Sequence, residues 1–238
     1  MTPKYLAALF DLDDTIFDHQ AHRREALAAL AQHVPALSRC DVCELETAHD
    51  LHLQRTHIAV LNGSLSVAQA RTERMQGLLS DYGVAVDTAL ADHCEKIYRE
   101  AYDRDWRTVP GARELLQSLR SHGVWLAVIT NGLWSEQSAK LRRLGLDAAI
   151  DDLIVSELVG SKKPAREFFD HAVSRTGFHA SECVVIGDLW DIDIQGALNF
   201  ELNSIWLNRY ERTHEAHPRV MEIKSLISTD AISGLFLE

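Results

Sequence analysis

The chain has no apolar run approaching the length of a membrane span, and it lacks the basic-then-apolar leader that marks export. A cytoplasmic protein is therefore expected. It is also poor in positive charge. Lys and Arg number 24 against 35 Asp and Glu, a formal charge of −11, which argues against a nucleic-acid backbone or an anionic membrane surface as the main partner. An anionic small molecule remains a suitable partner only where a metal ion and a lysine reverse the field locally. Cysteine is scarce too: Cys40, Cys43, Cys94 and Cys183, without an export signal, are expected to be free thiols. Cys40-x2-Cys43 followed by His49 and His52 has some of the look of a zinc site, but its gap is shorter than a usual finger loop and the segment reads as helix. There is no low-complexity linker and no internal repeat. At 238 residues the chain could form one large domain or a domain with an inserted partner, as a monomer or a homodimer.

What is present is an alternation. After residue 107, short apolar runs at 124–129, 153–155, 183–186 and 204–207 read as strands. Amphipathic stripes lie between them. Ala112, Leu115, Leu116 and Leu119 form one stripe, closed by Gly123. Phe168, Phe169, Ala172 and Val173 form another, opened by Pro164 and closed near Gly177. Strand and helix in alternation predict an α/β fold, a Rossmann-like doubly wound parallel sheet. The first strand, residues 5–10, is followed instead by helical patterns alone. Ala26, Leu27, Leu30, Ala31 and Val34 share one helical face, and similar patterns fill 44–61, 66–82 and 88–103. An inserted all-helical cap domain over 18–106, with the core made of 1–17 and 107–238, accounts for this better than one extra helical layer on the sheet.

Ligands of doubly wound sheets sit at the carboxyl ends of the strands, so the residues there are the candidates. The first strand ends in Asp11-Leu12-Asp13-Asp14-Thr15. If strand alternation continued, Asp11 and Asp13 would face one site and Asp14 the other side. Paired carboxylates call for a cation, and hard oxygen ligands suit Mg²⁺. Thr130-Asn131-Gly132 follows the second strand and leads into helical periodicity over 135–144, so its hydroxyl and backbone amides suit an anion. Next comes Lys162-Lys163-Pro164, where the proline favours Lys163 over Lys162 as the inward cation. After the 183–186 strand comes Gly187-Asp188-Leu189-Trp190-Asp191-Ile192-Asp193, and then Gly196-Ala197, a small pair suited to close helix–sheet packing.

Four strand ends thus supply, in order, D-x-D-x-T, a threonine, a lysine and G-D-x-x-x-x-D. That ordered set resembles the haloacid dehalogenase superfamily over nearly the whole chain, and the helical insertion looks like its helical cap class. DLDDT, ITNG, KKP and GDxxxxD look especially like its nucleotidase-like and small-metabolite phosphatase branch. The resemblance implies a Mg²⁺-dependent phosphomonoester hydrolase. Asp11 would attack phosphorus, and Asp13 would act as general acid and then general base. Thr130 and Lys163 would hold the transferring phosphoryl oxygens, helped by the amides of Leu12, Asn131 and Gly132. Asp11, the Asp13 carbonyl and Asp188 would bind the metal. Asp193 would orient Lys163 or a metal-bound water, and is preferred to Asp191 because Ile194-Gln195-Gly196-Ala197 continues the family pattern.

A true dehalogenase needs neither an acid at position 13 nor a metal, and an inactive module on this fold would be expected to have lost a motif member. Phosphonate cleavage normally goes with a much smaller cap. Nucleoside 5′-monophosphates are the expected substrates, with sugar or other small phosphates as the alternative. Phe17, Trp134 and Trp190 follow the motifs closely enough for an aromatic ring to stack on a base, or simply to pack in the core. The insertion is expected to close over the cleft and set substrate choice.

Overall fold

The computed structural model describes residues 4–61, 63–227, 232, 234 and 236. The chain divides into two compact units, one made of Met1–Asp18 with Trp106–Glu238 and the other of His19–Asp105.

In the first unit six strands form one sheet, in the order β3-β2-β1-β4-β5-β6 among the described residues. They are β1 Ala7–Phe10, β2 Trp125–Thr130, β3 Asp152–Val155, β4 Cys183–Gly187, β5 Asn203–Leu207 and β6 Val220–Ile223. Every pairing is parallel. Leu9 lies opposite Ala127 on one side and Val185 on the other, so β1 is central. Side chains alternate between the two faces of a strand. Ala7, Leu9, Ala127, Ile129, Cys183 and Val185 pack on one face against Phe168, Phe169 and Ala172 of helix Arg166–Thr176. The intervening Ala8, Phe10, Leu126, Val128, Val184 and Ile186 are equally buried, so both faces are covered. That explains why these strands read as continuous apolar runs. The buried stripe Ala112, Leu115, Leu116 and Leu119 belongs to helix α5, Ala112–Ser121, which contacts β2. Gly196 lies so close to the Phe169 ring and the Pro164 backbone that an added Cβ would meet them at 2.4 and 2.9 Å.

Three local expectations are corrected. β1 stops at Phe10, and Asp14 takes a left-handed backbone (φ 67°), so strand alternation does not govern residues 11–14. The helix expected to open at Pro164 begins at Arg166. The Lys163 N–H and C=O are both bonded by the Asn131 side chain, and the Ala165 N–H closes a turn on Lys162, so the helical ladder starts only beyond that turn. Strand β6 has a half-exposed, polar-interrupted sequence, Val-Met-Glu-Ile, and was not expected.

In the second unit, helices α1 His19–His33, α2 Val42–Leu61, α3 Val67–Asp81 and α4 Thr88–Tyr102 pack mainly as the pairs α1 with α4 and α2 with α3, and no strand occurs among the described residues. Ser66 and Gln69 form a reciprocal capping box on α3, and Asp87 caps α4 through the Leu90 N–H. Ala26, Leu27 and Leu30 are buried, as the stripe predicts. The Cys40, Cys43, His49, His52 set forms no metal cluster among the described residues. His49 stacks on Tyr98, His52 bonds Asp81, and all four cysteines are free. No described helix is long and apolar enough to cross a membrane.

Candidate active site

The strand order reverses at β1, with β2 on one side and β4 on the other; a crevice outside the carboxyl ends of β1 and β4 is the ligand position such a sheet provides. Asp11 follows β1 and continues its ladder, its N–H donating to the Ile186 carbonyl at 2.8 Å. Asp188 follows β4. One carboxylate oxygen each from Asp11, Asp188 and Asp193 lies within 4.8 Å of the others, and all three residues are buried. Such a concentration of negative charge is costly unless it is compensated.

Part of the compensation is Lys163, 2% exposed, whose ammonium donates to Asp11 Oδ1 at 2.6 Å, Asp193 Oδ1 at 2.7 Å and the Ile129 carbonyl at 3.0 Å. Three acceptors use all three of its donors. Burial works against the ammonium, but the adjacent Asp11 and Asp193 outweigh it and hold the Lys163 pKa above the ordinary lysine value. Lys162, by contrast, is exposed. Asn131 fixes the Lys163 backbone, its amide donating to the Lys163 carbonyl and its Oδ1 accepting from the Lys163 N–H, both at 2.8 Å.

Burial pushes the Asp11 pKa up to about 7; Lys163 opposes the shift, and Asp193 and Asp13 add to it. Burial also raises that of Asp188 well above the carboxylate range, with Asp11, Asp193 and Asp14 contributing. The Asp14 carboxylate itself lies 3.9 Å from the Arg209 guanidinium. Among the described residues, Asp188 Oδ1 is buried with no hydrogen-bond partner. A carboxylate oxygen in that state, beside two others, is the donor set that a hard divalent cation completes. The Trp206 indole N–H donates to the Asp188 carbonyl at 2.9 Å and fixes its backbone.

Asp193 rather than Asp191 takes the inner position of the fourth motif. Its Oδ2 accepts from the Leu189 N–H at 3.1 Å while its own N–H donates to the Leu189 carbonyl at 2.8 Å; Asp191 is exposed. Gly187 makes room for it, since a Cβ there would lie 2.4 Å from Asp193 Cβ. Thr130 is buried at the end of β2, and Leu12 is buried in the first motif. A Cβ on Gly132 would fall 1.9 Å from Gln137 Nε2.

Two side chains at this end of the sheet escaped sequence reasoning, Gln137 and Lys140 of helix α6, Trp134–Arg143. The Lys140 ammonium donates to both Asp13 oxygens, at 2.6 and 2.8 Å, and Gln137 Nε2 donates to Asp13 Oδ2 at 3.4 Å. Their signal was available: with Leu141 and Leu144 they form a buried i, i+3, i+4, i+7 stripe, an odd place for a lysine and a glutamine.

The aromatics divide differently from expectation. Phe17 is fully buried, its ring centroid 5.2 Å from that of Trp106 and 5.2 Å from Lys140 Nζ. Its ring is enclosed in this structure. Trp190 is buried against Trp206 and the stacked His214 ring, while Trp134 is half exposed.

The family model for haloacid dehalogenase-like hydrolases matches residues 5–200. The chain is 31% identical to the HAD-hydrolase YfnB of Bacillus subtilis, over 86% of this chain and 85% of that one. It is 29% identical to the ribulose-1,5-bisphosphate 5-phosphatase of Halopiger xanaduensis, covering 87% and 86%. With the pyrimidine 5′-nucleotidase PynA of Streptococcus pneumoniae it shares 27%, covering 90% and 89%. A crystal structure of YfnB bound to magnesium superposes with a TM-score of 0.73 at 28% identity, covering 99% of this chain and all of that one. The chain is an enzyme of the haloacid dehalogenase-like hydrolase family.

Proposed function

We propose that the enzyme is a Mg²⁺-dependent phosphomonoester hydrolase working through an aspartyl-phosphate on Asp11. The observation that carries this reading is the pairing of Asp11 with Lys163 beside the buried, partnerless Asp188 Oδ1. A halide-displacing enzyme has no need of that third carboxylate or of Asp13.

Asp11 attacks phosphorus and the ester P–O bond breaks, the leaving alkoxide taking a proton from the Asp13 carboxylic acid. Water then attacks the phosphorus of the aspartyl-phosphate and gives its proton to the Asp13 carboxylate. Phosphate departs, Asp11 is regenerated, and the sum is ester plus water giving alcohol plus phosphate. Lys163, exchanging one of its three present acceptors for the phosphoryl group, stabilises the phosphoryl oxygens together with the Thr130 hydroxyl and the amides of Leu12, Asn131 and Gly132. Asp11, Asp188 and the Asp13 carbonyl would hold Mg²⁺, which when bound offsets the repulsion between nucleophile and phosphate. Asp193 keeps Lys163 in place. Nucleoside 5′-monophosphates are the first choice of substrate, supported by the likeness to PynA; sugar phosphates are the second, supported by the likeness to the Halopiger phosphatase. Four free thiols support a reducing, cytoplasmic setting.

The test is phosphate release over a panel of nucleotides, sugar phosphates and an aryl phosphate, with Mg²⁺ and with excess chelator. Release that needs Mg²⁺ and vanishes in Asp11→Asn is expected. Full turnover in chelator, or an active Asp11→Asn enzyme, would overturn the reading.

A further inference from the structure

A lysine and a glutamine do not bury themselves on a helix without a partner, because each desolvated donor costs free energy that only a hydrogen bond or an opposite charge recovers. Lys140 is 8% exposed and Gln137 4%. Three residues apart on α6, they lie on one face of the helix, and both are directed to the carboxylate of Asp13. The two Lys140 contacts, at 2.6 and 2.8 Å, occupy both Asp13 oxygens, and the amide of Gln137 approaches Oδ2. Contacts to both oxygens, with the glutamine amide beside one of them, define the plane of the carboxylate.

The rest of the surroundings make this a built arrangement. The Gln137 amide lies over Gly132, where a Cβ would come within 1.9 Å of Nε2, so α6 is seated directly on the loop that ends β2. The Lys140 ammonium lies 5.2 Å from the Phe17 ring centroid, a cation–π contact in a desolvated setting. Phe17 is itself tied to the first motif: its N–H donates to the Leu12 carbonyl at 2.8 Å, and its carbonyl accepts from the Asp14 N–H at 2.7 Å. The support of Asp13 therefore runs through the first motif, the second motif and the helix that follows it.

We infer that Lys140 and Gln137 are positioning residues that set the orientation of the Asp13 carboxylate for its two proton transfers. This rests on the proposed phosphatase reading, in which Asp13 is the acid–base group, and it adds two residues that none of the four motifs contains. Among the described residues, neither hydrogen-bonds Asp11, Asp188 or Asp193. Their influence on turnover is therefore exerted through Asp13, and the loss of either should be felt only where Asp13 works.

A double-mutant cycle tests this. Lys140→Met is expected to lower kcat on an alkyl phosphate by about 100-fold, within the range that general acid–base catalysis supplies. Apparent Mg²⁺ half-saturation should stay unchanged, and Gln137→Met should show a smaller loss in the same direction. In an Asp13→Asn background, Lys140→Met should add less than about 3-fold. An equal loss in both backgrounds, or a Lys140→Met enzyme as fast as the parent, would overturn the inference while leaving parental Mg²⁺-dependent phosphate release intact. A crystal structure of Lys140→Met gives an answer independent of turnover: a displaced or disordered Asp13 carboxylate supports the inference, and an unmoved one defeats it. Failure of the parent chain to release phosphate from any substrate would instead defeat the phosphatase reading.

Discussion

Lys163 Nζ lies 2.6 Å from Asp11 Oδ1, and the lysine side chain is 1% exposed. The contact joins the ends of the first and third motifs, 152 residues apart in sequence. Both groups are withdrawn from water, and the pairing offsets part of the cost of burying them.

Removing the cation should therefore cost more than removing one of its acceptors. Lys163→Met leaves Asp11 and Asp193 buried without their ammonium, a loss of about 3–5 kcal/mol for a broken buried pair. Asp193→Asn still leaves Lys163 with Asp11 and the Ile129 carbonyl, and should destabilise less. Urea unfolding of the two variants in chelator measures the difference. The ion-pair account fails if Lys163→Met is as stable as the parent. Phosphate release should be lost in Lys163→Met, since this lysine is also assigned to the phosphoryl oxygens.

The fourth motif holds three acidic residues that should behave differently. Asp188→Ala removes the buried carboxylate with the partnerless oxygen, and should raise the Mg²⁺ concentration for half-maximal activity at least 10-fold. Asp191→Ala alters an exposed side chain and should change it less than 2-fold. Asp193→Ala should lie between, because its carboxylate acts through Lys163. A Mg²⁺ titration in which Asp191→Ala is worse than Asp193→Ala would reverse the assignment of Asp193.

In the helical unit, His49 gives a prediction that does not depend on catalysis. It is buried with neither ring nitrogen hydrogen-bonded among the described residues. Burial, followed by the charges of Arg74, Arg23, His19 and His52, holds its pKa well below the ordinary value of 6.5. In the folded protein His49 thus stays neutral, while in the unfolded chain it takes a proton as pH falls through about 6.5. Its contribution to stability is complete above that pH. Below it the contribution is lost, by up to about 1.4 kcal/mol per pH unit, until the folded-state pKa is reached. His49→Phe, which retains a ring to stack on Tyr98, should flatten the fall in unfolding free energy between about pH 6.5 and pH 5. An unchanged slope in denaturant titrations would show that other groups carry it.

The sequence by itself determined the alternation of strands and helices after residue 107, the all-helical stretch between β1 and β2, and the placing of the acidic, hydroxyl and lysine residues at strand ends. These are local properties. A strand buried on both faces must be apolar throughout, a helix must carry a stripe, and a residue just beyond a parallel strand lies at the end of the sheet where ligands bind. The choice of Lys163 over Lys162 and the preference for Asp193 over Asp191 could also be read, from Pro164 and from the Ile194-Gln195-Gly196-Ala197 continuation.

Only the tertiary structure decided which side chains face one another. Strand periodicity could not be carried past Phe10, because the backbone at Asp14 leaves the extended region. Phe17 looked available to a substrate until its contacts with Trp106 and Lys140 showed its ring enclosed. Lys140 and Asp13, 127 residues apart, meet because β1 and β2 are parallel neighbours and α6 returns over the loop between them and its own strand. A pattern along the chain records which face of an element is buried; what that face is buried against depends on strand order, and strand order is settled by packing across the whole sheet.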